Sequence, residues 1–395
     1  MQYRFSPAMD SLQSSAIREI LKNTADPAVI PFAAGNPSQE AFPTQMIREI
    51  SDELFATDPI GVLQYNITEG YIPLRDALKA WLKEEHCFNE EKDEVIVTSG
   101  AQQGIELACK VLCGSGDTIV CESPSFVGSL NAFKSYQVNL VGVETDEEGI
   151  DVEKLEKVMQ THTVRAMYLI PNFQNPTGKT MTLARRKAVY DLAVKYQCII
   201  LEDNPYGDLR FQGENIPSIK TFDTEGVVLY MRSFSKILAP GLRVGYVSGP
   251  KEILAKMVIC KQVSDVHSTI WVQRVCHQFL EKVEKSEYLS KLRTLYGRKY
   301  RLMAESIEKY FPAEIQVTHP EGGLFLRVTL PDHIDMLAFC KKAINETKVA
   351  VVPWNAFLIS DQDECHSFRM NYSTPTDEQI REGCKRLGEL MKIII

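Results

Sequence analysis

The chain has 395 residues, 44% of them hydrophobic and 24% charged, the balance of an ordinary globular protein rather than a disordered or fibrous one. That length is more comfortable as a large domain plus a smaller one than as a single core. The formal net charge of -8 argues against a nucleic-acid partner, because phosphate backbones are met by a basic face.

The first 30 or so residues read as a polar, helical arm leading into Phe32-Ala33-Ala34-Gly35-Asn36-Pro37. From about Asp93 to Pro250, short β-branched runs alternate with amphipathic stretches, the signature of βαβ units and a mainly parallel sheet. Seven strands are expected: Glu94–Val97, Thr118–Cys121, Asn139–Val143, Ala166–Ile170, Cys198–Leu201, Val227–Met231 and Val244–Val247. Gln102–Cys113, Asp151–Gln160 and Leu183–Tyr196 carry apolar residues at helical spacing and should cover the sheet faces. Lys251 to about Tyr310 is helical in pattern and long enough to cross to a second unit. Strands Leu324–Thr329, Val349–Val352 and Ser367–Asn371 follow, with a closing helix from about Thr376 to Ile394.

The fold class is therefore α/β: a large domain with a mostly parallel seven-stranded sheet covered by helices, plus a smaller α+β domain. The expected division is an arm at 1–30, a large domain at 31–290 with some N-terminal residues joining the small one, and a small domain at 291–395. Neither a signal-like start nor an apolar run near the roughly 20 residues that cross a bilayer is present, so a cytoplasmic protein with no membrane partner is expected. The ten cysteines are scattered through apolar segments without a CxxC pair and read as reduced core residues. The histidines form no HExxH or Cys/His cluster, so no metal is expected.

Four segments carry chemistry, each just beyond a strand, where ligands of such sheets gather. Ser233-Phe234-Ser235-Lys236 is followed seven residues later by Arg243. A lysine withdrawn from water beside other cations has a lowered pKa, and its neutral amine can attack an aldehyde. The Ser233 and Ser235 hydroxyls with the Arg243 guanidinium could bind a phosphate dianion, although the string alone is weak. In Leu201-Glu202-Asp203-Asn204-Pro205-Tyr206, Asp203 could keep a pyridine nitrogen protonated and Tyr206 could donate to a ring oxygen; taken alone, Asp203 reads as an acidic turn residue. In Pro171–Gly178, the Asn175 amide could reach both a cofactor oxygen and a substrate carboxylate, or the segment is a plain loop. Thr98-Ser99-Gly100-Ala101-Gln102-Gln103-Gly104 opens a helix whose free N–H groups could hold phosphate. It would equally suit a nucleotide, but GxGxxG and GK[ST] are both missing.

In this order, and over nearly the whole chain, these segments resemble fold-type I pyridoxal-phosphate enzymes of the class I/II aminotransferases. The branch that includes 2-aminoadipate and kynurenine aminotransferases is nearest, through Ser-Phe-Ser-Lys with its arginine seven residues on. The resemblance implies pyridoxal 5'-phosphate as cofactor and Lys236 as the Schiff-base lysine and proton carrier. It puts Ser233, Ser235, Arg243, Ala101 and Gln102 on phosphate, Asp203 on the pyridine nitrogen, Tyr206 and Asn175 on the ring oxygen, and Phe126 stacked on the ring. Phe126 stands where the family often has tyrosine, and by itself would be read as core. Tyr65 corresponds to a tyrosine reaching the neighbouring subunit's phosphate, implying a homodimer with shared sites; otherwise it is a buried or interface tyrosine.

Arg369 matches the arginine that grips the substrate α-carboxylate, in competition with a structural salt bridge, and Gly35 the glycine lying against substrate. Arg18 aligns with an arm arginine that meets a second carboxylate in some members, or is simply solvated. The implied reaction is ping-pong transfer of an amino group from an α-amino acid to a 2-oxo acid, with 2-oxoglutarate and glutamate as one pair. Alternatives are a β-lyase or decarboxylase on the same scaffold, a transcriptional regulator, for which the Gly35 motif begins too early, and a nicotinamide dehydrogenase, which lacks its glycine fingerprint.

Overall fold

The computed structural model describes residues 3–10, 26–360 and 365–395. The β-branched runs form the principal strands of one sheet: β1 (Asp93–Thr98), β2 (Thr118–Ser123), β3 (Asn139–Asp146), β5 (Val164–Leu169), β6 (Ile199–Asp203), β7 (Val228–Ser233) and β8 (Gly245–Pro250). The spatial order is β1-β8-β7-β6-β5-β2-β3-β4. Strands β3, β2, β5, β6 and β7 pair in parallel, whereas β8 runs against both β7 and β1. The eighth strand, β4 (Gly149–Ile150), is a two-residue addition at the edge. It folds back on β3 through Asp146 opposite Gly149, which sits at φ 117°, and is too short to show alternation in sequence.

Alternation along each strand feeds two cores. Ile119, Cys121, Leu201 and Leu229 face a cluster containing Ile105 and Ala108 of the helix Ala101–Leu112. Val120, Ile200 and Val228 face the opposite cluster with Leu155 and Val189, from the helices Val152–Thr161 and Leu183–Lys195. The stretch after β8 is three helices rather than one continuous pattern: Lys251–Gln262, Ile270–Lys282 and Lys285–Tyr310. The last begins anew because the Glu284 carboxylate accepts from the Ser286 and Glu287 N–H groups.

A second, antiparallel sheet has the order β11-β12-β10-β9 and contains β9 (Gln316–Val317), β10 (Phe325–Thr329), β11 (Val352–Pro353) and β12 (Ser367–Asn371). Its core joins Val328 and Phe368 to Met303 and to Leu387 of the closing helix Asp377–Ile394, which Thr376 and Gln379 start with a capping box. Phe32 packs into the same core, and Ile30 pairs in parallel with Val349.

Since β1 and the five parallel strands point the same way, Thr98, Ser123, Leu169, Asp203 and Ser233 all end at one edge of the large sheet. Deep below that edge Lys220 donates to Asp93 at 2.9 Å and to Asp223 at 2.8 Å, with all three side chains out of water. Lys220→Met leaves two buried carboxylates without their cation. It should lower unfolding free energy by about 3–5 kcal/mol, read as a fall in the urea midpoint.

Candidate active site

The loops leaving that edge meet segment 33–36 and strand β12 around a cavity of about 440 Å³. Lys236, Ala101, Gln102, Phe126, Asn175, Asp203, Tyr206, Ser233, Ser235, Arg243, Gly35 and Arg369 all line it, although they come from widely separated parts of the chain. Two of the residues singled out in sequence are not among them. Tyr65 is 81% exposed, its ring edge-on to His267, and Arg18 lies outside the described residues.

One end of the cavity is built to hold an anion. The helix Ala101–Leu112 starts at Gly100, which has no side chain to satisfy the first free N–H groups. Gly100 has φ 76°, and a Cβ there would lie 2.3 Å from the Arg243 guanidinium, so only glycine lets the arginine close over the turn. Arg243, itself in the left-handed region, donates to the Ser99 carbonyl at 3.2 Å. Ser233 donates to the Ser235 hydroxyl at 2.9 Å, while Gln102 is steered to the Gly128 carbonyl. The Gln102 side chain is thus committed to protein, leaving its backbone as the group available to an anion.

At the other end Asp203 is buried at the tip of β6. Its Oδ2 accepts from the Tyr168 hydroxyl at 2.7 Å, and its Oδ1 is buried with no partner among the described residues. Burial pushes this carboxyl up to about 6, and the Tyr168 hydrogen bond opposes the rise. The neighbouring Glu202 points to the other face of the sheet, where it accepts from the Ile219 and Lys220 N–H groups, so strand alternation alone decides which acid enters the cavity.

Between the two ends lies Lys236, whose Nζ donates to the Gly35 carbonyl at 2.8 Å. Burial, then the positive charges of Arg369 and Arg243, bring its amine down to about 8. Arg369 projects from the middle of β12, donating to Asn175 Oδ1 and to the Ala33 carbonyl, both at 2.8 Å. Its Nε is buried without a partner among the described residues, and Phe325 lies 4.2 Å beneath the guanidinium. Burial lowers this arginine to about 10. No carboxylate pairs with Arg369 among the described residues, so the structural salt bridge that competed for it is not the one formed. Tyr206, lining the cavity with Asn175 and packed edge-on against Phe325 at 5.8 Å, completes the wall.

Tyr168 and Phe325 are the residues that sequence reasoning missed. Both sit in apolar strand runs that read as core, and nothing in their local pattern separates them from filling.

The model for the family described as aminotransferase class I and II matches residues 27–387, and the chain belongs to that family. It is an aminotransferase. It is 38% identical to aromatic-amino-acid aminotransferase 1 of Thermococcus litoralis, over 98% of this chain and 94% of that protein. It is 34% identical to the 2-aminoadipate transaminase of Thermus thermophilus, over 98% and 96%. The crystal structure of a Pyrococcus horikoshii kynurenine aminotransferase superposes with a TM-score of 0.94 at 36% identity, covering 99% of this chain and 97% of that one.

Tyr168→Phe removes the hydrogen bond that Asp203 accepts from Tyr168 and should raise its pKa. The acidic limb of the transamination pH profile should move upward by roughly one pH unit. A limb that stays in place would show that Tyr168 does not hold Asp203 ionised.

Proposed function

We infer that the enzyme moves the amino group of an α-amino acid to a 2-oxo acid, with 2-oxoglutarate and glutamate as one pair. The observation that carries this reading is one buried amine, Lys236, set between a carboxylate oxygen and an anion cradle, with an arginine on the facing strand; among the described residues neither that oxygen nor that arginine has a side-chain counter-ion. Pyridoxal 5'-phosphate is the cofactor; when bound it supplies an aldehyde to receive the amino group and a ring that draws electrons from the substrate Cα. The side chains fit that group. Ser233, Ser235, Arg243 and the N–H groups at Ala101 and Gln102 would take the phosphate, Asp203 Oδ1 the ring nitrogen, Tyr206 and Asn175 the ring oxygen, and Phe126 a ring face.

Lys236 would hold the cofactor and would serve as the base: its amine, brought down by burial and the two arginines, would take the proton from the substrate Cα and return it on the other side of the transfer. Arg369 clamps the α-carboxylate, and Gly35 lends its backbone to the same wall. A single clamp and a single amine serve both half-reactions, so the first product leaves before the second substrate enters, which is ping-pong order. Arg18 is assigned to a distal carboxylate. The names of the relatives, covering aromatic amino acids, kynurenine and 2-aminoadipate, support a site that admits side chains of varied size.

The active enzyme is proposed to be a cytoplasmic homodimer. Tyr65 is exposed with its ring against His267, and Leu63, Val263 and Val266 are exposed as well; a second copy would cover these side chains while Tyr65 reaches that copy's phosphate. All ten cysteines are free thiols, consistent with a reducing compartment, and among the described residues no helix is long and apolar enough to cross a membrane. The chain divides into an arm at 1–30, a large unit at 31–290, some of whose N-terminal residues join the small one, and a small unit at 291–395.

Protein reconstituted with pyridoxal phosphate should show a visible band that borohydride fixes to a peptide containing Lys236 and that glutamate, without any oxo acid, converts to a pyridoxamine-type spectrum. A band that forms but never converts would point to a lyase or decarboxylase instead. Lys236→Ala should lower kcat by about 10³-fold or more. Arg369→Ala should raise KM for amino acid by about 100-fold, with Arg369→Lys only partly restoring it. Capture of the cofactor by apoenzyme needs the neutral amine, so its rate should climb as pH approaches about 8 and level off above that.

A further inference from the structure

Behind the anion cradle, on the side away from the cavity, lies a charged pair with no part in the chemistry above. Lys261 is wholly buried near the end of the helix Lys251–Gln262. Its Nζ donates to both Asp265 oxygens at 2.9 and 2.8 Å, to Gln103 Oε1 at 2.8 Å and to the Ser268 hydroxyl at 3.0 Å. Asp265 Oδ2 in turn accepts from Gln103 Nε2 at 2.8 Å and from the Ser99 hydroxyl at 3.2 Å. Gln103 Oε1 also accepts the Ser99 backbone N–H at 2.8 Å.

Ser99 is therefore gripped at all of its polar groups. The pair and Gln103 hold its N–H and hydroxyl, and Arg243 holds its carbonyl from the cavity side. We propose that Lys261 and Asp265 are positioning residues for the cofactor phosphate, acting through Ser99 and Gln103 to set the turn at 98–100 and the first N–H groups of the helix Ala101–Leu112. This rests on the reading that the turn binds that phosphate.

Lys261 is out of water and Asp265 is partly exposed, and an apolar pair of similar volume would fill this site at no greater cost. An apolar pair, however, offers no acceptor to the Ser99 hydroxyl and no donor to Gln103, so the turn would be left to choose among rotamers. An anion site depends on N–H groups already aimed before the ligand arrives. The loop that supplies Asp265 and Ser268 runs on to Gln273, which donates to the Ser268 carbonyl and accepts from the Tyr71 N–H, so the brace is anchored to the segment that follows Tyr65 as well.

The test compares two probes that differ only in the phosphate. Dissociation constants for pyridoxal phosphate and for pyridoxal are measured on apoenzyme resolved from holoenzyme, for the native protein and for Lys261→Met, Asp265→Asn, Lys261→Arg and Arg243→Ala. Lys261→Met and Asp265→Asn should each weaken pyridoxal phosphate by about 10-fold or more while pyridoxal changes less than about twofold, and Lys261→Arg should recover part of the loss. Asp265→Asn keeps the side-chain shape and serves if Lys261→Met fails to fold. Equal weakening of both probes would mean that the pair merely supports the fold, and unchanged affinity for both would also overturn the proposal. Arg243→Ala separates the underlying reading: if it leaves the preference for the phosphorylated probe intact, the phosphate lies elsewhere and the turn is not its site.

Discussion

A protonated amine surrounded by protein and within the field of two guanidinium groups is costly, and Lys236 is in that position, donating to the neutral Gly35 carbonyl. The strain is relieved by losing the proton or by forming a covalent bond that spreads the charge, and both routes are what a carbonyl-capturing lysine requires. Arg369 and Arg243 thus do two things at once. Each waits for an anion, one a carboxylate and the other a phosphate, and each keeps the amine between them reactive. Removing either would loosen a ligand and also return the lysine toward an ordinary ammonium.

The far end of the cavity follows the opposite logic. Asp203 is a buried carboxylate that burial alone would neutralise, and Tyr168 supplies one hydrogen bond against that tendency while leaving the second oxygen open. A ring nitrogen that can carry a proton completes the pair. The cavity is therefore polar at both ends with unlike charges, and apolar along its sides through Phe126, Ile170 and Phe325. That asymmetry orients a ligand before any particular contact forms. It also accounts for the arrangement of the supporting network: the phosphate turn is braced by an ion pair outside the cavity, where extra charge does not disturb the lysine, and the carboxylate end by a neutral phenol.

Much of this was legible in the sequence because the residues concerned lie next to one another along the chain. Ser233-Phe234-Ser235-Lys236, the acidic end of β6 and the glycine before Ala101 all stand at strand ends, where the change from β-branched run to turn residues is visible locally. The principal strands were readable for the same reason, whereas β4 escaped because two residues carry no period. The stretch Lys251–Tyr310 looked continuous because its breaks at 263–269 and 283–284 contain no glycine or proline to mark them. Tyr168, Phe325 and the Lys261–Asp265 brace were not readable, since an apolar strand or a helix end looks alike whether its side chain fills space or holds another residue in place.

By itself the sequence determined the alternation of strands and helices, the seven principal strands, and the short motifs at their carboxyl ends, because hydrophobic period, turn chemistry and residue type are all properties of neighbours in the chain. Tertiary structure alone decided that Gly35, Arg369 and Lys236, some two hundred and more than a hundred positions apart, close on a single cavity, that Asp203 rather than Glu202 enters it, and that Tyr65 remains at the surface. Those outcomes depend on sheet order, on which face a side chain takes and on how one strand of the small sheet meets the edge of the large one, and none of these is encoded within a local window.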